Sequence, residues 1–193
     1  MTDILRAAVG IFATLAPFGL IPAFLAASRD AREENARAGR TLPLAGITAL
    51  VVLLVAVLLA DPFLDFLDVS AENFQAAAAV IMLPLAARLL WSGHSLGLSD
   101  VATSRPWLLP LAIPGLAGPA SLGAVVAYSG RYGEADGAAA VAVAIVAASA
   151  LLYAAGFLQR ALGERAIGVL GRLSGALIVA IAVELAVDGV RSV

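Results

Sequence analysis

Six apolar stretches follow one another along the 193-residue chain, separated by short polar or charged segments. They cover approximately residues 4–27, 42–60, 73–91, 107–128, 137–159 and 167–190. Each is close to the roughly 20 apolar residues that an α-helix needs to cross about 30 Å of hydrocarbon. The pattern therefore predicts an all-α membrane protein with six transmembrane helices in a single integral membrane domain, residues 1–193.

Composition supports this prediction and excludes several function classes. The chain is 62% hydrophobic and 13% charged, whereas a water-soluble domain has about a quarter of its residues charged. Cysteine is absent, which rules out disulfides, thiol nucleophiles and thiolate metal sites. All 12 basic residues are arginine, and the formal net charge of −2 leaves no broad basic surface for nucleic acid. We therefore expect the lipid bilayer, and no nucleic acid, among the partners.

The first stretch could also be a cleaved signal peptide, because Ala26-Ala27-Ser28 resembles a small-residue processing site. Its apolar run is longer than the roughly 7–15 residues of a signal peptide. Asp3 and Arg6 before it cancel in charge instead of forming a positive leader. The first stretch is better interpreted as the first span.

Arginine placement predicts the orientation of the chain, because cytoplasmic loops retain positive charge. With six spans, one side of the membrane carries three arginines: Arg6, Arg131 and Arg191. The other side carries nine: Arg29, Arg32, Arg37, Arg40, Arg88, Arg105, Arg160, Arg165 and Arg172. Both termini of this multi-pass protein are therefore expected to lie outside the cytoplasm.

The two halves of the sequence resemble each other. Prolines of the first and fourth stretches recur 97 residues apart, Pro17 and Pro22 against Pro114 and Pro119. Two further pairs lie 96 residues apart, Arg88 with Glu184 and Gly93 with Gly189. Because each half has three spans, the second half must enter the membrane upside down relative to the first. The sequence therefore predicts two inverted repeats, about residues 1–93 and 107–190.

Proline and glycine interrupt the first and fourth spans, where they are expected to kink or unwind the helix. Irregular backbone at that depth is tolerated only where protein buries it or water reaches it, so two matched breaks favour one shared cavity near the midplane. The candidate substrate-binding residues are Pro17, Gly19, Pro22, Pro114, Gly118 and Pro119. The alternative is that these residues only kink the helices for packing.

Such a cavity would suit a small zwitterion. Half-helix N-termini offer N–H groups to a carboxylate, and half-helix C-termini offer carbonyls to an ammonium group. Small residues around the breaks leave space for a pocket, although they also let helices pack closely. They are Ala16, Gly19, Ala117, Gly118, Ala120 and Gly123.

Glu184 is the candidate coupling residue. It lies one to two turns before the end of the sixth span, where a carboxylate should be protonated, paired or hydrated. It could carry a proton or bind a substrate ammonium group. The alternative is that Glu184 and Asp188 reach toward the outer interface. Arg88 is not expected to pair with Glu184, because the inverted plan puts it on the cytoplasmic side.

Enzyme signatures are missing from the sequence. A single histidine, His94, cannot build a histidine-pair metal site. Gly-x-Gly-x-x-Gly is absent, and a Gly-x-x-x-x-Gly-Lys loop is impossible without lysine. We therefore expect no enzyme activity, no metal site and no cofactor.

Two motifs resemble the MarC family of six-span bacterial inner-membrane proteins. The first-span pattern Asn-Pro-x-Gly-x-x-Pro is matched by Pro17, Gly19 and Pro22, with Ala16 in place of asparagine. The more specific pattern, Pro-Leu-Ala-Ile-Pro-x-x-Ala-Gly-Pro, is matched at every position of 110–119. The ending Arg-x-x-Gly, apolar run, Gly is also similar, at Arg172, Gly175 and Gly189. Glu184 lies where the family commonly has glutamine.

The resemblance implies an inner-membrane protein related to small neutral amino-acid transporters, within a wider LysE-like group of exporters. The leading hypothesis is a secondary transporter, exporting or exchanging amino acids such as alanine or glycine. The alternative is a non-transporting scaffold or regulatory protein, in which the kinks only shape the packing. An intramembrane enzyme is the third hypothesis, and the sequence leaves a homo-oligomer open.

Overall fold

A computed structural model describes residues 2–33, 38–93, 112–113 and 115–191, and the side chains of these residues except 26–42. Seven α-helices make up most of this part of the chain. They are α1 (Thr2–Leu15), α2 (Pro17–Glu33), α3 (Ala38–Phe66), α4 (Ala71–Ser92), α5 (Pro119–Tyr132), α6 (Glu134–Tyr153) and α7 (Ala155–Arg191). No β-strand occurs among these residues, so the all-α prediction is confirmed for them.

Four helical segments are long and apolar enough to cross a membrane: Pro43–Phe66, Ala71–Ser92, Glu134–Tyr153 and Ala155–Arg191. A fifth is obtained when Thr2–Leu15 and Pro17–Leu25, which meet at 43°, are counted as one broken span. The predicted fourth span, 107–128, begins outside the described residues. Its described helix, α5, has only 14 residues. The described residues therefore show four to five candidate spans, and the sixth stays a prediction.

Local sequence signals explain where individual helices begin and end. The Ser70 hydroxyl accepts a hydrogen bond from the Asn73 N–H at 3.3 Å, which caps the start of α4. Gly93 ends α4 in the left-handed conformation, with φ 73°, and its N–H donates to the Leu89 carbonyl at 2.8 Å. Gly163, with φ 79°, interrupts the helical geometry of α7. This break separates a short leading segment from the apolar 164–191 part.

Glycines of α7 allow a close approach to α4. A Cβ at Gly175 would lie 2.9 Å from the Leu90 nitrogen, and one at Gly189 would lie 2.8 Å from the Glu72 oxygen. A Cβ at Gly171 would collide with the Gly93 carbonyl. The Gly171–Gly175 spacing is thus used for backbone contact. Because the start of α4 meets the end of α7, the two helices are antiparallel.

The buried side chains form two core clusters. The first joins α1, α2, α3 and α6 with the segment that precedes α5, and it includes Val125 of α5 and Ala155 and Ile167 of α7. The second joins α4 and α7 with one face of α5. Tyr128 of α5 packs against both clusters. Ala16 belongs to the second cluster, although Leu15 and Leu20 on either side belong to the first. The α1–α2 break therefore lies where the two clusters meet.

Candidate functional site

The first helix break is at Ala16. Its φ of 45° is in the left-handed region, which is strained for a residue with a side chain. Pro17 then begins α2, a position that suits proline because the first helical N–H has no intrahelical acceptor. Further along, Pro22 cannot donate to the Phe18 carbonyl as an ordinary helical residue would. The first break thus combines backbone strain with a lost helical hydrogen bond.

The second break precedes α5. The Ala117 N–H donates to the Ala112 carbonyl at 2.8 Å, a wide turn, and Gly118 is extended before Pro119 begins α5. Ser121 supports this turn from inside α5. Its hydroxyl accepts from the Gly118 N–H at 3.0 Å and donates to the Leu116 carbonyl at 2.7 Å. One buried hydroxyl therefore pairs two backbone groups that the break removes from helical bonding.

Ser121 was not among the residues that the sequence analysis selected. It is the third residue of α5, and the side chain at that position commonly reaches back to the N-cap N–H. The usual capping signal pairs such a residue with Ser, Thr, Asp or Asn at the N-cap, and here the N-cap is Gly118. The signal was therefore incomplete in the sequence.

The two breaks contribute to the same cores. Ala16 of the first break and Ala120 of the second both belong to the second core cluster. Leu15 and Leu20 share the first core cluster with Leu116 and Ala117. Both breaks therefore lie where the two core clusters meet.

The predicted substrate-binding residues take different positions. Pro17, Gly19 and Gly118 are buried, Pro22 is half-buried, and Pro119 is exposed. Pro114 lies outside the described residues. None of the other five lines either of the two cavities described below.

Gly123, one of the small residues that were expected to leave space for a pocket, is instead in close packing contact with α4. A Cβ at Gly123 would collide with the Ala78 side chain and approach the Met82 methyl group to 3.2 Å. Gly123 therefore lets α5 pack closely on α4, which is the alternative that the sequence left open.

The Arg131 cavity, of about 440 Å³, lies where the start of α4 and the carboxyl ends of α5 and α7 meet. Polar and charged side chains from all three helices contribute to its wall. They are Glu72, Gln75, Tyr128, Arg131, Glu184, Asp188 and Arg191.

Two ion pairs join α5 to α7 at this cavity. Arg131 Nη1 lies 3.1 Å from Glu184 Oε1, and Arg131 Nη2 lies 2.8 Å from Asp188 Oδ2. The two carboxylates are one helical turn apart, so a single guanidinium reaches both. About half of each side chain is exposed: 47% for Arg131, 53% for Glu184 and 38% for Asp188. Arg131 lies beyond the predicted span 107–128, and its hydrogen bond to Glu184 raises its pKa above the usual value.

Glu184 is thus paired and about half exposed in the structure. Its partner is Arg131, which the sequence analysis did not identify. A signal was present, because the predicted topology puts Arg131 on the side of the membrane that Glu184 and Asp188 approach. Arg88 lies near the opposite end of α4, away from this cavity.

A second cavity, of about 620 Å³, opens between α3, α5 and the start of α4. Apolar side chains make up its wall, including Phe63, Phe66, Phe74 and Leu122. Such a wall offers no hydrogen-bonding side chain that could orient a polar substrate. Of the two cavities, the Arg131 cavity is therefore the one with polar chemistry.

Comparison with known proteins identifies relatives over the whole chain. Residues 1–193 match the MarC family of integral membrane proteins. The chain is 30% identical to the UPF0056 inner membrane protein YhgN of Escherichia coli (strain K12), over 99% of this chain and 98% of that protein. It is 26% identical to the UPF0056 membrane protein YhcE of the same strain, over 96% and 90% of the two chains. No solved structure matches.

Proposed function

Because this chain belongs to the MarC family of integral membrane proteins, we propose that it is a secondary transporter of small neutral amino acids such as alanine or glycine. It would export or exchange them across a bacterial inner membrane, with both termini outside the cytoplasm. The observation that carries the proposal is the pair of helix breaks, at Ala16 and before Pro119, whose flanking residues share the same cores.

The backbone chemistry of the breaks supports this proposal. Discontinuous helices in transporters present main-chain N–H and C=O groups to a substrate near the midplane. Here Pro22 frees the Phe18 carbonyl from its helical donor, and the Gly118 N–H is held by a side chain instead of a helical carbonyl. A small zwitterion needs both a donor and an acceptor. The Phe18 carbonyl would be the acceptor, and the Gly118 N–H would become a donor once it leaves the Ser121 hydroxyl.

The helix directions support the predicted inverted repeat. Glu72 of α4 lies against Gly189 of α7, and Gly93 lies against Gly171, so the third and sixth predicted spans are antiparallel. In the other pair of counterparts, Gly10 in the second half of α1 meets Tyr128 near the carboxyl end of α5. An inverted repeat requires such antiparallel counterparts.

The proline pairing derived from the 97-residue displacement is not reproduced in detail. Pro22 lies inside α2, whereas Pro119 is the first residue of α5. Pro17, which begins α2, is the positional counterpart of Pro119. Proline is tolerated at either place, so its spacing alone could not fix the register of the repeats.

The region around the breaks is closed in this structure. Leu15, Leu20 and Leu116 are almost fully buried there, and Ser121 is only 1% exposed. A carrier must therefore open this region to one side of the membrane. Since the break at Ala16 lies between the two core clusters, relative motion of these clusters is the movement that would expose it.

The same burial favours the second candidate function, a non-transporting scaffold or regulatory protein. In that case the breaks would be permanent kinks, filled by alanine and leucine side chains. The two candidates differ in one measurable property, because only the transporter moves a solute across a sealed membrane.

Flux measurements on purified protein in liposomes distinguish these candidates. We expect uptake of radiolabelled alanine or glycine above protein-free liposomes, and we expect Gly19→Leu and Gly118→Leu to reduce it to background. The matched control is Gly156→Leu, because an added Cβ at Gly156 meets no atom within 4 Å. Size-exclusion chromatography and circular dichroism verify that each variant is folded.

Two results would contradict the proposal. Absence of alanine and glycine flux in wild-type liposomes would favour the scaffold. Undiminished flux in both break variants would show that substrate does not pass between the breaks.

A further inference from the structure

The Arg131 cavity combines both signs of charge in one polar recess. Its wall carries three carboxylates, Glu72, Glu184 and Asp188, and two guanidinium groups, Arg131 and Arg191. The opposite charges of Arg131, Glu184 and Asp188 already touch one another across the gap between α5 and α7. A molecule entering this recess therefore meets a cation and two anions within contact distance.

The surrounding end of the bundle is strongly acidic. The described residues there include nine carboxylates: Asp3, Asp61, Asp65, Asp68, Glu72, Glu134, Asp136, Glu184 and Asp188. They include three arginines: Arg6, Arg131 and Arg191. This imbalance produces a negative potential that attracts a ligand bearing an ammonium group.

We propose that the Arg131 cavity, on the outer side of the helix breaks, is a binding site for the zwitterionic head of an α-amino acid, where an exported substrate leaves the protein and an exchanged one enters it. Arg131 binds the ligand carboxylate, while Glu184 and Asp188 accept the ligand ammonium group. The choice of an amino acid as ligand rests on the proposed function.

Ion-pair exchange is the physical reason for selecting a zwitterion. When a zwitterion enters, the Arg131 guanidinium exchanges one of its protein carboxylate partners for the ligand carboxylate. The protein carboxylate that is released then pairs with the ligand ammonium group. The number of ion pairs is maintained, and a guanidinium binds a carboxylate in a favourable planar geometry. A ligand with only a negative charge would take Arg131 from a protein carboxylate and leave that carboxylate without a partner. A ligand with only a positive charge would contact the carboxylates but would gain nothing from the guanidinium.

Geometry favours an α-amino acid over longer zwitterions. The two Arg131 nitrogens lie 3.1 and 2.8 Å from the carboxylate oxygens, so the sites for the two ligand charges are adjacent. A ligand whose ammonium and carboxylate share one carbon atom fits adjacent sites. The volume of about 440 Å³ leaves room for a small side chain and water.

The headgroup of phosphatidylethanolamine offers related chemistry, an ammonium group next to an anion. Binding experiments must therefore separate the free amino acid from the lipid. We therefore use purified full-length protein in lipid-free detergent. Calorimetric titration with alanine measures binding of the free amino acid, and titration with phosphoethanolamine measures binding of the lipid headgroup.

The first test uses wild-type protein and three ligands of similar size. We expect alanine to bind at least about tenfold more tightly than propionate, which lacks the ammonium group, and than ethylamine, which lacks the carboxylate. Equal binding of either analogue would overturn the proposal. Binding of phosphoethanolamine without binding of alanine would overturn it in favour of a lipid site.

The second test uses variants of the cavity. Arg131→Gln and Glu184→Gln should each weaken alanine binding by about ten- to a hundredfold, the loss expected when a charged hydrogen bond is removed. The matched control is Arg6→Gln, because Arg6 lies at the same end of the bundle in an exposed ion pair with Asp3. Its affinity for alanine should stay within about twofold of wild type. Unchanged affinity in both cavity variants would overturn the proposal.

These outcomes are distinguishable from failure of the proposed function. If liposomes transport alanine but Arg131→Gln binds alanine as wild type does, the Arg131 cavity assignment fails and the transporter stands. If Arg131→Gln abolishes alanine binding but wild-type liposomes show no flux, the binding site stands and transport fails. If the Gly118→Leu variant still binds alanine, the binding site lies outside the helix breaks.

Discussion

Ser121 supports the second helix break through a single hydroxyl group. The side chain is 1% exposed, and its oxygen accepts from the Gly118 N–H and donates to the Leu116 carbonyl. Substitution by alanine removes the oxygen and keeps the Cβ atom, so the packing around residue 121 is otherwise preserved. Ser121→Ala therefore measures how much the turn before α5 depends on this side chain.

The expected cost follows from the two backbone groups involved. A buried donor or acceptor left without its partner costs about 1–3 kcal/mol. Removing the hydroxyl also relieves the cost of burying that polar group. The free energy of unfolding should therefore fall by about 2–4 kcal/mol in Ser121→Ala.

The assay is reversible unfolding in mixed detergent micelles, followed by tryptophan fluorescence and circular dichroism. Ser174→Ala is the matched control, because Ser174 is also buried and its hydroxyl donates only to the helical Leu170 carbonyl, at 3.1 Å. We expect that control to lose less than about 1 kcal/mol. If Ser121→Ala is no less stable than Ser174→Ala, the hydroxyl does not hold the break. Ser121→Thr, which keeps the hydroxyl, should recover part of the loss.

Three further predictions concern residues of α7. Gly175→Ala should destabilise the protein by about 1–3 kcal/mol, because its Cβ would press on the backbone of α4. Gly168→Ala should instead stabilise it by up to about 1 kcal/mol, because its Cβ meets nothing within 4 Å and alanine favours helix. Equal detergent-unfolding curves for the two variants would refute the close α4–α7 packing. If Glu184 carries the coupled proton, Glu184→Gln should make the alanine transport rate in liposomes independent of pH, and an unchanged pH profile would exclude that role.

The breaks could be predicted because their causes are local. Pro17 and Pro119 each begin a helix, and both follow from the chemistry of proline alone. The left-handed conformation of Ala16 could not be predicted, since alanine disfavours it and only the surrounding packing imposes it. The role of Ser121 could not be predicted for a related reason. Its partners, the Gly118 N–H and the Leu116 carbonyl, need a side-chain partner only because the turn removes them from helical hydrogen bonding.

The charged residues of the Arg131 cavity could be predicted from the sequence only in part. Glu184 was conspicuous because a carboxylate near hydrocarbon needs a partner. Its partner Arg131 is 53 residues away in the chain, and only the packing of α5 beside α7 brings the two together. Glu184 and Asp188, in contrast, are separated by one helical turn, so their common face follows from sequence alone.

Helix α5 physically connects the two regions discussed above. Ser121, Ala124, Tyr128 and Arg131 follow one another at intervals of three or four residues, so they lie along one face of α5. Over these ten residues the helix rises about 15 Å, from the second break to the Arg131 cavity. Its amino end is held by Ser121 and its carboxyl end by the ion pairs to α7. If the proposed ligand exchanges with those ion pairs, we expect it to loosen the carboxyl end of α5, and a rigid helix would transmit this change to the break.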